Sequence, residues 1–353
     1  MNLQNIPTPA LIVNKTIFDK NVLAMKELLK GSNLKLRPHY KSHKCADVAR
    51  MQVEDGAVGL TCAKLDEAID LIDSGIENVL IANQIVDPLK IAKLAYLAKC
   101  CKLTVLVDNK ENAEAISNAC KLAGSTVYFL IEFEVGMERC GIANKQDILS
   151  LAKFIKNLDN VEFEGIQAYA GHISHVESLD KRRLAIKENY AKISELIAYL
   201  SDNGIEVKTL SGGSTGTSVI KAKEGLYTEL QAGSYLFMDS TYSELNLPFE
   251  NSLFVLSTVV SINGNIAVVD AGVKSCGVDQ GMPKCVGFKT QKIVASEEHF
   301  QLHCPSKDLK VGDKVLLIPG HCCSTVNLHD KIYFVSEDRV LSRVLVTARG
   351  CSK

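Results

Sequence analysis

Strand-like and helix-like segments alternate along most of the chain, and this alternation constrains the fold more than any other feature. Eight short apolar runs typical of buried strands fall at Leu34–Lys41, Val58–Ala63, Val79–Asn83, Leu103–Asp108, Val127–Val135, Phe163–Ala170, Val207–Gly212 and Tyr227–Tyr235. Apolar residues at helical spacing fall between or before them, at Lys15–Lys30, Asp66–Ser74, Pro88–Ala98, Asn112–Leu122, Lys145–Asn157 and Arg182–Ser201. Such alternation implies parallel strands joined by right-handed crossovers, so eight units predict a (β/α)8 barrel. An open doubly wound sheet is the alternative, but no Gly-x-Gly-x-x-Gly follows the first strand.

The pattern changes near Leu247-Pro248, after which strand-like runs follow one another with few helical segments. These runs are Leu253–Ile262, Ile266–Asp270, Val315–Ile318, Ile332–Val335 and Val340–Thr347. They predict a smaller, mostly antiparallel β domain. The sequence therefore predicts a barrel over residues 8–246 and a β domain over 247–353, with the placement of residues 1–7 in the β domain left open.

Composition and charge exclude several classes of function. Among 353 residues, 46% are hydrophobic and 23% charged, and the formal net charge is −1. This balance lacks the basic surface that nucleic acid or an anionic membrane attracts. We see no apolar run of bilayer length and no secretory signal. With no such signal, the 12 cysteines favour thiols in a reducing compartment, so we expect a cytoplasmic protein.

Polar residues collect where the predicted strands end, which is the edge of a barrel that carries function. Five clusters occupy these positions: Arg37–Lys44, Glu134–Gly141, Gln167–His172, Ser211–Thr217 and Gln231–Tyr235. Arg37, His39 and His43 are candidates to bind a substrate carboxylate or to support the site indirectly. Together the clusters predict one site at the carboxyl ends of the strands.

The segment Ser211–Thr217 is rich in glycine and hydroxyl groups and precedes a possible helix. Backbone N–H groups, hydroxyls and a helix start can bind a phosphate, and barrels commonly bind phosphate after strands seven and eight. A lysine across the barrel then suggests pyridoxal phosphate. Tyr169 is predicted to stack on the cofactor ring and Arg139 to donate to its phenolate oxygen. The alternatives are a core tyrosine and a surface ion pair of Arg139 with Glu134 or Glu138.

A second candidate site is Pro319-Gly320-His321-Cys322-Cys323, which follows the predicted strand Val315–Ile318. If the strand continues, His321 and Cys323 point to the same face because side chains alternate along a strand. Imidazole and thiolate suit zinc. A catalytic zinc commonly has three protein ligands, and the third could be His299, His329, a carboxylate, water or substrate. The alternative is a buried, unreactive cysteine.

Taken together, the motifs resemble those of the D-serine dehydratase and D-threonine aldolase family, which belongs to the alanine-racemase-like (fold type III) pyridoxal phosphate enzymes. The resemblance runs from Thr8 to Gly350. The segments that carry it are Arg37–Lys44, Gly136–Gly141, Gln167–Tyr169, Gly213–Thr217, Gln231–Tyr235 and Pro319–Cys323.

The resemblance implies a homodimer, Lys41 as the cofactor-linked catalytic lysine, and His321 with Cys323 as ligands of a zinc ion. The cofactor-binding set is then predicted to be Lys41, Arg139, Gln167, Tyr169, Gly213, Ser214, Thr215, Gly216, Thr217, Gln231, Gly233 and Ser234. Gln231 is a candidate partner of the pyridine nitrogen.

Within this family, aldolases generally have His-x-Asp at the metal position and dehydratases have His-x-Cys. His321-Cys322-Cys323 therefore resembles a D-serine dehydratase, which converts D-serine to pyruvate and ammonia. The alternatives are a D-threonine aldolase, a 3-hydroxy-D-aspartate dehydratase or aldolase, and an amino-acid racemase. A non-catalytic carrier of pyridoxal phosphate and a structural zinc protein are rivals from other classes. Against them stand the second domain with its His-x-Cys pair and the lack of any Cys-x-x-Cys.

Overall fold

The computed structural model describes residues 2–353, which divide into two compact units that are each discontinuous in sequence. One unit comprises residues 2–27, Ser42–Asp47 and Ser234–Gly350, and the other comprises Leu28–Lys41, Val48–Gly233 and Cys351–Lys353. The domain boundary expected between residues 246 and 247 stays a prediction.

The strands and helices are numbered in chain order. The strands are β1 (Ala10–Asn14), β2 (Lys35–Leu36), β3 (Leu60–Cys62), β4 (Asn78–Gln84), β5 (Lys102–Val107), β6 (Val127–Glu132), β7 (Val161–Gln167), β8 (Thr209–Gly212), β9 (Glu229–Leu230), β10 (Leu253–Asn263), β11 (Ile266–Val269), β12 (Lys284–Cys285), β13 (Lys292–Ala295), β14 (Phe300–His303), β15 (Lys314–Ile318), β16 (Lys331–Ser336) and β17 (Arg339–Leu345). The helices are α1 (Lys15–Leu29), α2 (Ala46–Glu54), α3 (Leu65–Asp73), α4 (Pro88–Leu97), α5 (Lys110–Ala123), α6 (Lys145–Ile155), α7 (Leu179–Asp202), α8 (Ser218–Glu224) and α9 (Cys322–Val326).

Eight parallel strands form the sheet of the second unit, in the order β2-β9-β8-β7-β6-β5-β4-β3. Its two ends meet, because Val58 N donates to Leu36 O and Thr61 N to Pro38 O, each at 2.9 Å, and a parallel bridge joins His39 to Thr61. The predicted (β/α)8 barrel is confirmed, and the open-sheet alternative is wrong.

Several helices of the barrel begin at side chains that cap them. The Asn109 side chain accepts from Asn112 N at the start of α5, and Asp87 accepts from the first N–H groups of α4, ahead of Pro88. Asn144 caps α6 in the same way. These oxygens satisfy N–H groups that have no partner within the helix, which explains why the helices begin near the predicted positions.

The first and eighth barrel strands are much shorter than predicted. The first ends at Leu36, and Tyr40–Ser42 is a turn of 3-10 helix; the eighth ends at Leu230. The polar residues at the ends of these two predicted strands, Lys41 and Gln231 among them, therefore lie in the segments that follow the strands.

The sheet of the first unit has nine strands, and β1 lies inside it rather than at its edge. β1 pairs antiparallel with β10 and parallel with β16, and the rest of the sheet is antiparallel. The predicted β-rich architecture of this part is confirmed, whereas the short strands β12, β13 and β14 were missed. A buried apolar cluster lies on one face of the sheet and consists of Ile6, Ala10, Ile12, Phe254, Leu256 and Val335.

Among residues 2–353, no helix combines the length and the hydrophobicity that a membrane crossing requires.

Candidate active site

A cavity of about 180 Å³ lies at the carboxyl ends of the barrel strands. Five residues of the predicted cofactor-binding set line it: Lys41, Arg139, Gln167, Tyr169 and Gln231. His39, a candidate for binding the substrate carboxylate, lines it too, and Ala63, Ala82, Asn83, Gln84, Glu132 and Cys140 complete the lining. The barrel therefore brings together six predicted residues that come from four different strand ends.

Lys41 occupies the 3-10 turn that follows β2, and its side chain is exposed toward the cavity that it lines. The turn is anchored by Tyr40, which is fully buried and whose hydroxyl donates to the Asp70 carboxylate. Lys41 Nζ lies 5.9 Å from the centroid of the Tyr169 ring, and Arg139 Cζ lies 5.8 Å from the same centroid. Both cationic side chains therefore lie near the Tyr169 ring, and all three residues line the cavity.

Arg139 is paired with a carboxylate that was not predicted. Its guanidinium lies 3.7 Å from Glu132 Oε1, and Gln84 donates to the other oxygen of Glu132 at 2.6 Å. Glu134 instead accepts the backbone N–H groups of Gly136, Met137 and Glu138. The alternative ion pair of Arg139 with Glu134 or Glu138 is therefore not the one formed.

Gln231, Gln167 and Ser211 form a buried, uncharged network below the cavity. Gln231 Nε2 donates to Gln167 Oε1 at 2.8 Å and to Ser211 Oγ at 2.9 Å. Because both hydrogens of this amide are used, Gln231 offers a ligand its carbonyl oxygen, and Gln167 offers its NH2 group. A ring nitrogen placed here would meet neutral groups.

The predicted phosphate loop consists of Gly213–Thr217, between β8 and α8. Gly213 has φ +78°, a backbone conformation that favours glycine, and a Cβ there would crowd Leu230 Cδ1 and Lys221 Cδ at 2.8 Å. Ser214 N donates to Thr217 Oγ1 at 3.0 Å, and Ser174 Oγ donates to Ser214 Oγ at 2.7 Å.

One hydroxyl of this loop has no protein partner. Thr215 is 1% exposed, and its Oγ1 has no hydrogen bond within residues 2–353. Since buried polar groups are nearly always paired, this orphan hydroxyl fits a bound phosphate. Gly216 lies in the same 3-10 turn, Thr215–Thr217, and Gly233 follows β9. Ser234 belongs to the other compact unit, where its Oγ lies 3.9 Å from Cys323 Sγ.

His321 and Cys323 contact each other, although not for the reason that the sequence suggested. β15 ends at Ile318, and α9 begins at Cys322 with His321 as its N-cap residue, so strand alternation does not apply. His321 Nδ1 lies 2.6 Å from Asp279 Oδ2. Burial lowers the pKa of His321, but its hydrogen bond with Cys323 and the charges of Cys323 and Asp279 outweigh burial and raise it to about 9.

An imidazole nitrogen next to a thiol is a donor pair that zinc accepts. Residues 2–353 contain no group of three His, Cys, Asp or Glu side chains arranged around one metal position. His329, a candidate third ligand, has its Nε2 2.7 Å from Ser275 O. Two protein ligands would leave the remaining positions to water or substrate.

Family models and sequence relatives agree with a barrel followed by a β-rich part. The model for the alanine racemase N-terminal domain matches residues 13–241, and the model for a putative serine dehydratase domain matches residues 252–335. A D-threonine aldolase from Arthrobacter sp. is 35% identical over 99% of this chain and 95% of its own length. The chain belongs to the D-serine dehydratase and D-threonine aldolase family. Members are pyridoxal phosphate-dependent lyases of D-amino acids, and this family member is accordingly a lyase that uses that cofactor.

Other relatives of this family member differ in the activity they are named for and in sequence identity. A 3-hydroxy-D-aspartate aldolase from Paracoccus denitrificans is 35% identical over 99% of this chain and 94% of its own. A crystal structure of D-threonine aldolase from Filomicrobium marinum superposes with a TM-score of 0.96, at 36% identity, over 100% of this chain and 98% of the other. A D-serine dehydratase from Dictyostelium discoideum is 26% identical over 96% and 95% of the two chains.

Sequence reasoning missed several residues of the two sites, among them Glu132, Gln84 and Asp279. Glu132 and Gln84 are the last residues of β6 and β4, so the rule that barrel strands end in functional groups could have found both. Asp279 lies 42 residues before His321, and Gln84 lies 48 residues before Glu132. No local spacing signals such pairs.

Proposed function

We propose that this lyase eliminates the β-hydroxyl group of a β-hydroxy-D-amino acid, with D-serine as the first candidate and pyruvate and ammonia as the products. The observation that carries this proposal is the contact between the His321 imidazole and the Cys323 thiol, two residues apart at the start of α9. A metal held by this pair would belong to the dehydratase type of the family. Zinc is the metal that thiolate and imidazole favour.

A relative with the same spacing supports this choice. The solved structures of a D-threo-3-hydroxyaspartate dehydratase from Delftia include a histidine-to-alanine mutant and, two residues further along, a cysteine-to-alanine mutant in a metal-free form. That enzyme also widens the range of candidate substrates. Dehydration of a 3-hydroxy-D-aspartate would give oxaloacetate in place of pyruvate.

In the barrel, each side chain has a proposed task. Pyridoxal phosphate, when bound, supplies the electron sink that makes the substrate Cα proton acidic. Lys41 would link the cofactor and then take that proton at Nζ. Tyr169 would hold the ring in place, and Arg139, kept in position by Glu132, would donate to the phenolate oxygen. Thr215 Oγ1 and the backbone around Gly213 would bind the phosphate.

Zinc at His321 and Cys323 would act as a Lewis acid toward the β-hydroxyl group, making it a better leaving group. The overall reaction loses water from D-serine and regains one water when the nitrogen is released as ammonia. Gln231 and Gln167 offer the ring nitrogen only neutral partners, which moderates the electron sink. The proposed homodimer and cytoplasmic location remain predictions.

Aldol cleavage is the second candidate, because the relatives at 35–36% identity over nearly the whole chain are named aldolases. Cleavage of D-threonine would give glycine and acetaldehyde, and cleavage of 3-hydroxy-D-aspartate would give glycine and glyoxylate. Both reactions begin with a β-hydroxyl group and differ in the bond broken at Cβ.

The decisive experiment assays the purified protein loaded with pyridoxal phosphate. Products are measured before chelation, after chelation, and after zinc is returned. They are pyruvate from D-serine, oxaloacetate or glyoxylate from 3-hydroxy-D-aspartate, and glycine from D-threonine. Pyruvate or oxaloacetate that is lost on chelation and restored by zinc is expected. Glycine formed without pyruvate or oxaloacetate would establish the aldolase. Formation of L-serine or L-alanine from the D-isomer would establish the racemase.

Cys323→Asp and Cys323→Ala test the choice of bond. The alanine variant should lose zinc and elimination together. The aspartate variant should keep a metal site and lower the ratio of elimination to cleavage. An unchanged ratio with unchanged metal content would show that residue 323 does not decide the reaction.

A further inference from the structure

Asp279 contacts His321 and Ser324 at the same time. Its Oδ2 lies 2.6 Å from His321 Nδ1, and its Oδ1 accepts from Ser324 Oγ at 2.5 Å. One carboxylate oxygen is thus engaged by the imidazole and the other by the Ser324 hydroxyl. Asp279 holds the imidazole in one orientation.

The loop that carries Asp279 is built to approach the start of α9 closely. A Cβ at Gly277 would lie 2.0 Å from Ser324 Oγ, and a Cβ at Gly320 would lie 1.8 Å from Gly281 O. Gly277 N donates to Thr325 Oγ1 at 2.9 Å, and Thr325 Oγ1 donates to His321 O at 2.7 Å. The two segments therefore pack closely, backbone against side chain at Gly277 and backbone against backbone at Gly320, and this packing sets the position of Asp279 relative to His321.

A carboxylate on Nδ1 decides which nitrogen of the ring is left for a metal. When Nδ1 carries the proton and donates it to Asp279, the lone pair is on Nε2. A carboxylate in this position also makes the imidazole a more basic ligand. A metal held by only two protein ligands depends more on each of them than a metal held by three or four. The orientation and basicity of His321 should therefore affect metal affinity more strongly here.

We infer that Asp279 is a positioning residue for the zinc site, which orients His321 so that Nε2 and Cys323 Sγ face the metal together. The inference rests on the proposed function, because it requires zinc at His321 and Cys323. It adds a residue that lies 42 positions from His321 in the sequence. Asp279 touches neither the metal nor the substrate in this assignment.

The test measures zinc affinity by competition with a chromophoric chelator, using the full-length protein loaded with pyridoxal phosphate. Asp279→Ala and the nearly isosteric Asp279→Asn should each bind zinc roughly 10- to 100-fold more weakly, as is usual for loss of such a partner. Ser324→Ala removes the other hydrogen bond of Asp279 but leaves its contact with the ring, so its zinc affinity should stay within about threefold. Visible absorbance of the bound cofactor and the melting curve report whether each variant is folded.

The outcomes separate this inference from the proposed function. If wild-type protein binds no zinc, or Cys323→Ala binds it equally well, the metal part of the proposed function fails and the inference fails with it. If Cys323→Ala loses zinc while both Asp279 variants keep wild-type affinity, only the inference is overturned. Equal losses in Ser324→Ala and Asp279→Ala would also overturn it, since the loop conformation and not the carboxylate would then matter.

Discussion

The backbone of Lys41 is fixed by neighbouring contacts, while its side chain stays exposed. Tyr40, the preceding residue, is anchored in the barrel by Asp70, and Lys41 N lies 3.4 Å from His39 Nδ1. Rigid neighbours around an accessible amine suit a group that must link a cofactor and later move a proton.

Lys41→Ala should abolish both turnover and the visible absorbance of the lysine-linked cofactor, because no other cavity-lining residue supplies an amine. The measurement is an absorbance spectrum together with product formation. Lys44→Met is the matched control, since Lys44 Nζ lies 3.4 Å from Ala348 O. Loss of the absorbance in the Lys44 variant and not in the Lys41 variant would reassign the lysine.

Thr215→Val should weaken binding of pyridoxal phosphate while leaving the cofactor-free protein as stable as before, or more stable. A hydrogen bond to a charged phosphate contributes about 1.5–3 kcal/mol, or roughly 10- to 100-fold in affinity. The cofactor-free protein should lose no stability, because the hydroxyl that is removed is buried and has no hydrogen-bond partner among residues 2–353.

The control for this prediction is Thr217→Val, which loses the capping hydrogen bonds with Ser214. It should lower the stability of the cofactor-free protein by about 0.5–2 kcal/mol. Cofactor titration and urea unfolding measure the two effects separately. Unchanged cofactor affinity in Thr215→Val would place the phosphate elsewhere.

At the scale of elements, the loop between β6 and α6 is organised by one carboxylate. Glu134 accepts from Gly136 N at 2.8 Å and from Glu138 N at 2.9 Å, and also from Met137 N. Burial opposes ionisation of Glu134, but these three N–H donors and His172 outweigh it and hold its pKa below the ordinary value of 4.5. The same loop carries Arg139 into the cavity.

The order of this loop should therefore depend on pH in acid. A carboxyl whose pKa is depressed in the folded state contributes stability that is present above its ordinary pKa and is lost as the pH falls through the depressed value. Glu134→Gln should produce the same loosening at neutral pH, seen as several-fold faster hydrogen exchange of the Gly136 and Glu138 amides. Glu138→Gln, on the exposed side of the loop, should leave exchange unchanged; equal exchange in both variants would contradict the role of Glu134.

At the scale of the whole molecule, one buried ion pair helps to close the barrel. Arg37, just after β2, donates through Nε and Nη2 to both oxygens of Glu229 on β9, each at 2.8 Å, and through Nη1 to Asn78 of β4 at 3.0 Å. The two charged side chains are 6% and 12% exposed. Arg37 is thus engaged within the barrel and does not serve as a carboxylate receptor for substrate.

Arg37→Met should lower the free energy of unfolding by about 3–5 kcal/mol, because it leaves the Glu229 carboxylate buried without its partner. Urea unfolding of the cofactor-free protein measures the change. The double variant Arg37→Met/Glu229→Leu should recover part of the loss, since neither charge then remains. Arg183→Ala, which breaks an exposed pair with Asp180, should change stability by less than about 1 kcal/mol, and an equal loss there would rule out burial as the cause.

The periodicity of the sequence determined the barrel, because apolar spacing is a local property that each strand and helix carries by itself. It also located Lys41, Tyr169 and Gly213–Thr217, since barrel strands end at one edge whatever their lengths. Strand lengths were less predictable: the runs at Leu34–Lys41 and Tyr227–Tyr235 look like strands in composition, yet the regular strand covers only two residues of each.

Only the tertiary structure decided which distant groups meet. No sequence pattern encodes the pairs Asp279–His321, Arg139–Glu132 and Arg37–Glu229, because each pair depends on how separate segments pack. The contact of His321 with Cys323 illustrates the difference. Continuation of the strand Val315–Ile318 would place side chains two residues apart on one face, whereas the chain brings them together at the start of a helix. The sequence determined which groups are available for chemistry, and packing decided their partners.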